Sequence, residues 1–264
     1  MKDSLQSCRL FVFDLDGTLY LGDTVLPGAH EIIKAIDDCQ SADYIYLTNN
    51  SSRAAADYYG RLERLGFLCK AENIMSSSMA VAEYLREVHP DEGVYLVGTN
   101  ALYNELKAGG INLTEDAPGV VCVGFDTELT FEKLNKATRF LRRGAAFIAA
   151  NPDCTCPMPN DEVLPDCGGI CALLTACTGR EPFYIGKPNP KMLQMLSKRL
   201  DIPMSQIAVV GDRLYTDIAV AENAGAVSVC VLTGETNREM IKSSPVKPQY
   251  VFQSVKELHA HLNL

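Results

Sequence analysis

The chain has 264 residues, 47% hydrophobic and 22% charged, the balance of a globular protein with a sizeable core. Thirty-three acids against 24 Lys and Arg leave a formal net charge of −9, which excludes general affinity for nucleic acid or an anionic membrane surface. No apolar run approaches the roughly 18 residues of a membrane span. The opening MKDSLQSC has no signal-type apolar region, and a cytoplasmic protein is expected.

In chain order, LFVF reads as a short buried strand that runs directly into Asp14, Asp16, Gly17 and Thr18. PGAHEIIKAIDDC reads as a helix, and YIYL as a strand ending in Thr48-Asn49-Asn50. Ser51 or Ser52 is expected to cap a helix in RAAADYYGRLERLG, which Gly66 ends. NIMSSS, MAVAEYLREV, VYLVG, NALYNELKAGG, VVCVGF, TFEKLNKATRFLRRG and AAFIAA continue the alternation. The irregular NPDCTCPMPNDEVLPDCGG follows, then a helix in ICALLTACTG and a strand in PFYIG that leads into Lys187. In KPNPKMLQMLSKRL, Asn189 is the expected N-cap, with Pro190 at the first helical position. IAVVG is a buried strand ending in Asp212, five positions before Asp217; the helix TDIAVAENAG closes at Gly225, and VSVCVL is the last strand. This alternation predicts an α/β fold with a mainly parallel sheet, and without a linker any second domain is an insertion within the first.

Ten scattered cysteines match no common zinc spacing, so reduced thiols are expected. Cys167 and Cys171, one helical turn apart, read as small hydrophobic residues.

Ligands bind at the carboxyl ends of parallel strands, and there the chain collects Asp14, Asp16, Asp212 and Asp217 together with Thr48 and Lys187. Acids this close disfavour one another's ionised forms, so a cation is required. An all-oxygen donor set without His or Cys suits Mg²⁺, which commonly keeps water and a substrate phosphate as further ligands. Lys187, the Thr48 hydroxyl and a helix N-terminus expected just after Asn49 and Asn50 fit an anion. Gly17 allows the sharp turn after the acids. Together these features read as a metal-dependent phosphate site.

Asp14-Leu15-Asp16-Gly17-Thr18, Thr48-Asn49-Asn50, Lys187 and Gly211-Asp212-Arg213-Leu214-Tyr215-Thr216-Asp217 resemble the four motifs of the haloacid dehalogenase (HAD) superfamily. YLTNNSSR, NPD, FYIGKPNP and VVGDRLYTDI are similar to its NagD-like, 4-nitrophenylphosphatase-like branch. The resemblance implies a Rossmann-like core in residues 1–79 and 183–264, with an inserted α/β cap at 80–182. It also implies a Mg²⁺-dependent phosphatase acting on a small phosphomonoester: a nucleoside monophosphate, sugar phosphate, pyridoxal phosphate or aryl phosphate. In it Asp14 is the nucleophile that becomes an aspartyl phosphate, and Asp16 the general acid and base. Mg²⁺ is bound by the carboxylates of Asp14 and Asp212 and the backbone carbonyl of Asp16, with Asp217 orienting the metal site. Thr48, the Asn49 amide and Lys187 hold the phosphoryl oxygens, while Asn49, Asn50, Asn151 and Asp153 are substrate-binding. Self-association through the cap is compatible with this reading.

Two alternatives stay open: a phosphotransferase on the same scaffold, or a non-catalytic phospho-accepting signalling module, which Asp16 and the large insertion disfavour. Pro165-Asp166-Cys167-Gly168-Gly169 departs from the glycine-rich turn common in the branch. The 151–169 loop has no Lys, Arg or His but holds Asp153, Asp161, Glu162 and Asp166, so a leaving group free of a second anion is expected.

Overall fold

Short runs of buried β-branched and aromatic residues form the central strands of the two main sheets, and segments with an apolar stripe form most of the helices. The computed structural model describes residues 4–157 and 162–262, so Asp161 lies outside the described residues. The strands begin with Leu10–Phe13 (β1), Tyr20–Leu21 (β2), Thr24–Val25 (β3), Asp43–Thr48 (β4), Ile74–Ser76 (β5), Val94–Val97 (β6) and Val120–Val123 (β7). They continue with Ala146–Ala149 (β8), Thr155–Pro157 (β9), Val163–Pro165 (β10), Phe183–Tyr184 (β11), Ile207–Gly211 (β12), Val227–Val231 (β13) and Tyr250–Phe252 (β14). The helices are Ala29–Asp38 (α1), Ala55–Arg64 (α2), Ser77–Val88 (α3), Asn100–Ala108 (α4) and Phe131–Arg142 (α5). Then come Cys167–Thr178 (α6), Lys191–Leu200 (α7), Ala219–Ala224 (α8), Arg238–Ser243 (α9) and Val255–Leu262 (α10).

The chain divides into two compact units. The first comprises Met1–Thr48, Tyr58–Met75 and Lys187–Leu264. Its sheet has the order β14-β13-β12-β1-β4-β5. β1 is buried at all four positions and pairs in parallel with both β4 and β12. β13 continues the parallel set to β14. Helix α1 buries Ala29, Ile32, Ile33 and Ile36, one stripe at helical spacing, and packs against α10. That approach requires Gly28: a Cβ there would lie 2.5 Å from the Lys256 Cα, and its φ is +88°.

The second unit comprises Asn49–Asp57 and Ser76–Gly186. Its four-stranded sheet, β11-β8-β7-β6, is parallel throughout, and β9 and β10 form a separate antiparallel hairpin. Helix α3 packs on α4, and α5 on α6. An α/β fold with mainly parallel sheets is therefore what the chain adopts.

Three local expectations shift. Helix α2 begins at Ala55, because Ser51 and Ser52 are engaged elsewhere: Ser51 Oγ accepts from the Phe125 N–H at 2.8 Å, and Ser52 bonds Asn50 Oδ1. Consequently no helix N-terminus follows directly on Asn49 and Asn50. Helix α7 begins at Lys191, one residue later than expected, though Asn189 Oδ1 still accepts the Lys191 N–H at 3.0 Å. Strand β11 pairs with β8 in the second unit's sheet, so Lys187 does not end a strand of the sheet that carries Asp14. All ten cysteines are free thiols, and Cys167 and Cys171 are fully buried.

Candidate active site

β1 and β12 run parallel with Phe13 opposite Val210, so the residues following each strand emerge side by side. The Asp14 N–H donates to the Val210 carbonyl at 2.8 Å, which seats Asp14 at the sheet edge next to Gly211 and Asp212. Beyond Asp212 the chain makes a π-helical turn, Leu214–Ile218, that swings Asp217 back under the strand end. Gly211 permits this, since a Cβ there would lie 2.2 Å from the Asp217 Cβ. Among the described residues, Asp14, Asp212 and Asp217 form the acidic group that can hold a metal, with one ligand atom from each within 4.8 Å of the others.

Lys187 is almost wholly buried and bridges two of these acids, its Nζ donating to Asp14 Oδ1 at 2.5 Å and to Asp217 Oδ1 at 2.6 Å. Asp212 is held by the Glu235 N–H at 2.7 Å on Oδ2 and by Thr18 Oγ1 at 3.4 Å on Oδ1. The Arg213 N–H donates to Asp217 Oδ2 at 3.1 Å. Thr48 ends β4 and is buried; Asp16 is exposed in the turn after β1, where the Gly17 N–H donates to the Tyr20 carbonyl at 2.8 Å.

The electrostatics follow from this crowding. Burial pushes the Asp14 carboxyl well above the usual carboxylate range, and Asp217 adds to that rise while Lys187 opposes it. Burial and then the Asp217 charge push Asp212 up to about 6. Burial lowers Lys187, but Asp14 and Asp217 outweigh it, and the lysine is held above its ordinary value. One ammonium facing three carboxylates leaves negative charge that a divalent cation relieves, and the donors are hard oxygens throughout. The residues present fit Mg²⁺.

The other predicted residues belong to the second unit, where Asn49, Asn151 and Asp153 bond to one another. Asp153 Oδ2 accepts from Asn49 Nδ2 at 2.8 Å and from Asn151 Nδ2 at 3.0 Å. Asn151 also donates to Asp166 Oδ1 at 3.1 Å and accepts from Ser51 Oγ at 3.2 Å. Asn50 Oδ1 accepts from Ser52 at 2.9 Å (N–H) and 2.8 Å (Oγ). Asp166 is buried and caps helix α6 by accepting the Cys167 N–H at 2.5 Å, so its carboxylate is engaged inside the unit; Glu162 is exposed. The Gly168 that follows is sterically required, because a Cβ there would lie 2.1 Å from the Pro152 carbonyl oxygen.

The sequence reading missed the loop after β13. Gly234, Glu235 and Thr236 wrap Asp212: the Thr236 N–H donates to the Asp212 carbonyl at 3.1 Å, and a Cβ on Gly234 would lie 2.0 Å from Asp212 Oδ2. Thr233 Oγ1 donates to the Gly17 carbonyl at 2.7 Å, joining this loop to the first motif. The signal was available, since LTGET also follows a buried strand.

Residues 11–112 match the haloacid dehalogenase-like hydrolase family, and residues 184–258 match a HAD-hydrolase-like family. The chain belongs to the HAD-like hydrolases. It is similar to the acid sugar phosphatase of Staphylococcus saprophyticus, with 34% identity over 96% of this chain and 98% of the relative. Among solved structures it is similar to 4-nitrophenylphosphatase from Thermotoga maritima, with 38% identity, TM-score 0.94 and coverage of 98% and 99% of the two chains. NagD from E. coli K-12 shares 32% identity at TM-score 0.88, over 95% and 98% of the chains. A magnesium complex of glycerol phosphate phosphatase from Mycobacterium tuberculosis shares 34% identity at TM-score 0.89, covering 98% of this chain and 79% of that one. These likenesses make the chain a NagD-like HAD hydrolase. No helix among the described residues is long and apolar enough to cross a membrane.

Proposed function

We infer that this HAD-like hydrolase is a phosphatase of small phosphomonoesters that works by two displacements at the Asp14 carboxylate. The observation that carries this reading is the buried Lys187 ammonium bridging Asp14 and Asp217 beside Asp212 at the ends of β1 and β12. In the first displacement Asp14 attacks phosphorus, the bond to the ester oxygen breaks, and Asp16 gives that oxygen its proton. Asp16, exposed to solvent, then takes a proton from a water that attacks the phosphorus of the aspartyl phosphate and frees Asp14. Lys187, the Thr48 hydroxyl and the Asn49 amide hold the phosphoryl oxygens as charge spreads over them. Asp14 and Asp212 with the Asp16 carbonyl would hold Mg²⁺, oriented by Asp217. The ion, when bound, neutralises the facing carboxylates and draws charge from the phosphoryl oxygens. The second unit corresponds to the inserted cap of this reading.

For the substrate we favour phosphate esters of hydroxyl-rich alcohols, sugars and polyols. The relatives named as sugar and glycerol phosphate phosphatases support this, as does the lack of Lys, Arg and His in the 151–169 loop. Glu162 is exposed in that loop, whereas Asp153 is engaged by Asn49 and Asn151 and Asp166 is buried as a helix cap. The test is a phosphometabolite panel with Mg²⁺, reported as kcat/KM. Hydrolysis of no ester by the parent, or of all esters equally by Asp14→Asn, would overturn the reading.

A further inference from the structure

The chain passes between its two units after Thr48, after Asp57, after Met75 and after Gly186. Three of these four passages are tied, by contacts inside the second unit, to Asn49. The Asn49 carbonyl accepts from Ser77 Oγ at 2.6 Å, just past the third passage. Gly186, the last residue before Lys187, sits so close that an added Cβ would lie 2.7 Å from Asn49 Oδ1 and 2.6 Å from the Ala150 carbonyl oxygen. The Gly186 N–H donates to that same Ala150 carbonyl at 2.8 Å.

Asp153 and Asn151 hold this arrangement together. A single oxygen, Asp153 Oδ2, accepts both Asn49 Nδ2 at 2.8 Å and Asn151 Nδ2 at 3.0 Å. Asn151 is fully buried and follows Ala150 directly, so one hydrogen-bonded knot fixes the peptides next to Thr48 and Lys187. An amide donor that loses its acceptor in such a place must rearrange to find another.

We propose that Asp153 and Asn151 are positioning residues for the hydrolysis: they lock the Asn49 and Gly186 peptides and so set where Thr48 and Lys187 meet the phosphoryl group. This rests on the reading that Thr48 and Lys187 hold that group. The pair acts through its neighbours, and the negative charge of Asp153 is incidental to the role.

The experiment separates the acceptor from the charge. Asp153→Asn keeps an oxygen that can accept both bonds, whereas Asp153→Ala removes it. In the full chain with Mg²⁺, Asp153→Ala lowers kcat about 10- to 100-fold by the same factor on a sugar phosphate and on 4-nitrophenyl phosphate with KM within about threefold of the parent, and Asp153→Asn recovers most of that loss. Hydrogen exchange, read by mass spectrometry, is faster in Asp153→Ala over Asn49–Ser52 and Ile185–Lys187 and unchanged in Asp153→Asn. A fall in Asp153→Asn equal to that in Asp153→Ala, or a loss confined to the KM of one ester, makes Asp153 a substrate contact and overturns the proposal. Parent-like kcat and exchange in Asp153→Ala overturn it equally. If Asp153→Ala does not fold by circular dichroism, Ser77→Ala, which removes the bond to the Asn49 carbonyl, carries the same kcat and exchange comparison. A parent inactive on every ester refutes the phosphatase reading alone, and the exchange comparison then decides this one.

Discussion

Replacing Lys187 by methionine keeps most of the side-chain volume and deletes the charge that two acids share. The Nζ lies 2.5 Å from Asp14 and 2.6 Å from Asp217, and the exposures of the three side chains are 3%, 16% and 1%. Removing one partner of a buried ion pair costs about 3–5 kcal/mol, because the remaining charge stays desolvated and uncompensated. At about 2–4 °C per kcal/mol for a chain of this size, Tm in EDTA at pH 8 falls by about 6–20 °C. The loss must shrink on acidification. Lys187 is held above its ordinary pKa of 10.5, so its contribution is fully present across the range from pH 5 to 8 and the change comes from the acids. Asp212 is pushed up to about 6 and Asp14 well above its ordinary value, so both take protons readily once the lysine is gone. Thermal unfolding by circular dichroism at pH 8 and pH 5, with and without Mg²⁺, measures this. Mg²⁺ should restore more Tm in the variant than in the parent. A Tm loss that is the same at both pH values, or below about 2 °C, refutes the account of Lys187 as the charge-balancing group.

Five further outcomes are expected. Asp14→Asn leaves the fold intact and abolishes turnover, while Asp16→Asn slows both displacements and accumulates a phosphorylated species visible by intact mass; near-parent rates for Asp14→Asn would rule out covalent catalysis. Activity disappears in EDTA and returns with Mg²⁺ but not Ca²⁺, whose larger coordination sphere engages the attacking Asp14 oxygen. In EDTA the raised pKa values of Asp14 and Asp212 make the folded chain bind more protons than the unfolded one, so stability rises as pH falls through about 6 towards 3.8, and Mg²⁺ flattens that slope. Gly234→Ala forces Asp212 aside, since the new Cβ would lie 2.0 Å from Oδ2, and the Mg²⁺ concentration for half-maximal activity rises about tenfold or more; an unchanged Mg²⁺ titration contradicts this. Finally, kcat/KM for a sugar phosphate exceeds that for phosphoglycolate, and the reverse order would mean that a cation outside the 151–169 loop meets the second anion.

The acids at the sheet edge were legible in the chain itself. LFVF and IAVVG announce buried strands by local pattern, and each is followed at once by an aspartate, so burial and strand polarity alone place Asp14 and Asp212 at the carboxyl ends of strands. The strand register that makes them neighbours, Phe13 opposite Val210, joins residues far apart in the chain and is decided only when the sheet forms. Lys187 was legible as a residue type but not by its route, because β11 pairs with β8 rather than with the sheet that carries Asp14. Likewise Asp166 reads as a loop acid in the sequence, and only its place at the start of α6 turns its carboxylate inward onto the Cys167 N–H. Asn49, Asn151 and Asp153 show the same division: each is unremarkable in its own stretch, and a bond such as Asn49 to Asp153 spans 104 positions. Short-range sterics and hydrophobic periodicity act within a few residues and can be read along the chain. Which buried donor finds which acceptor depends on groups brought together by packing, and only the tertiary structure decides it.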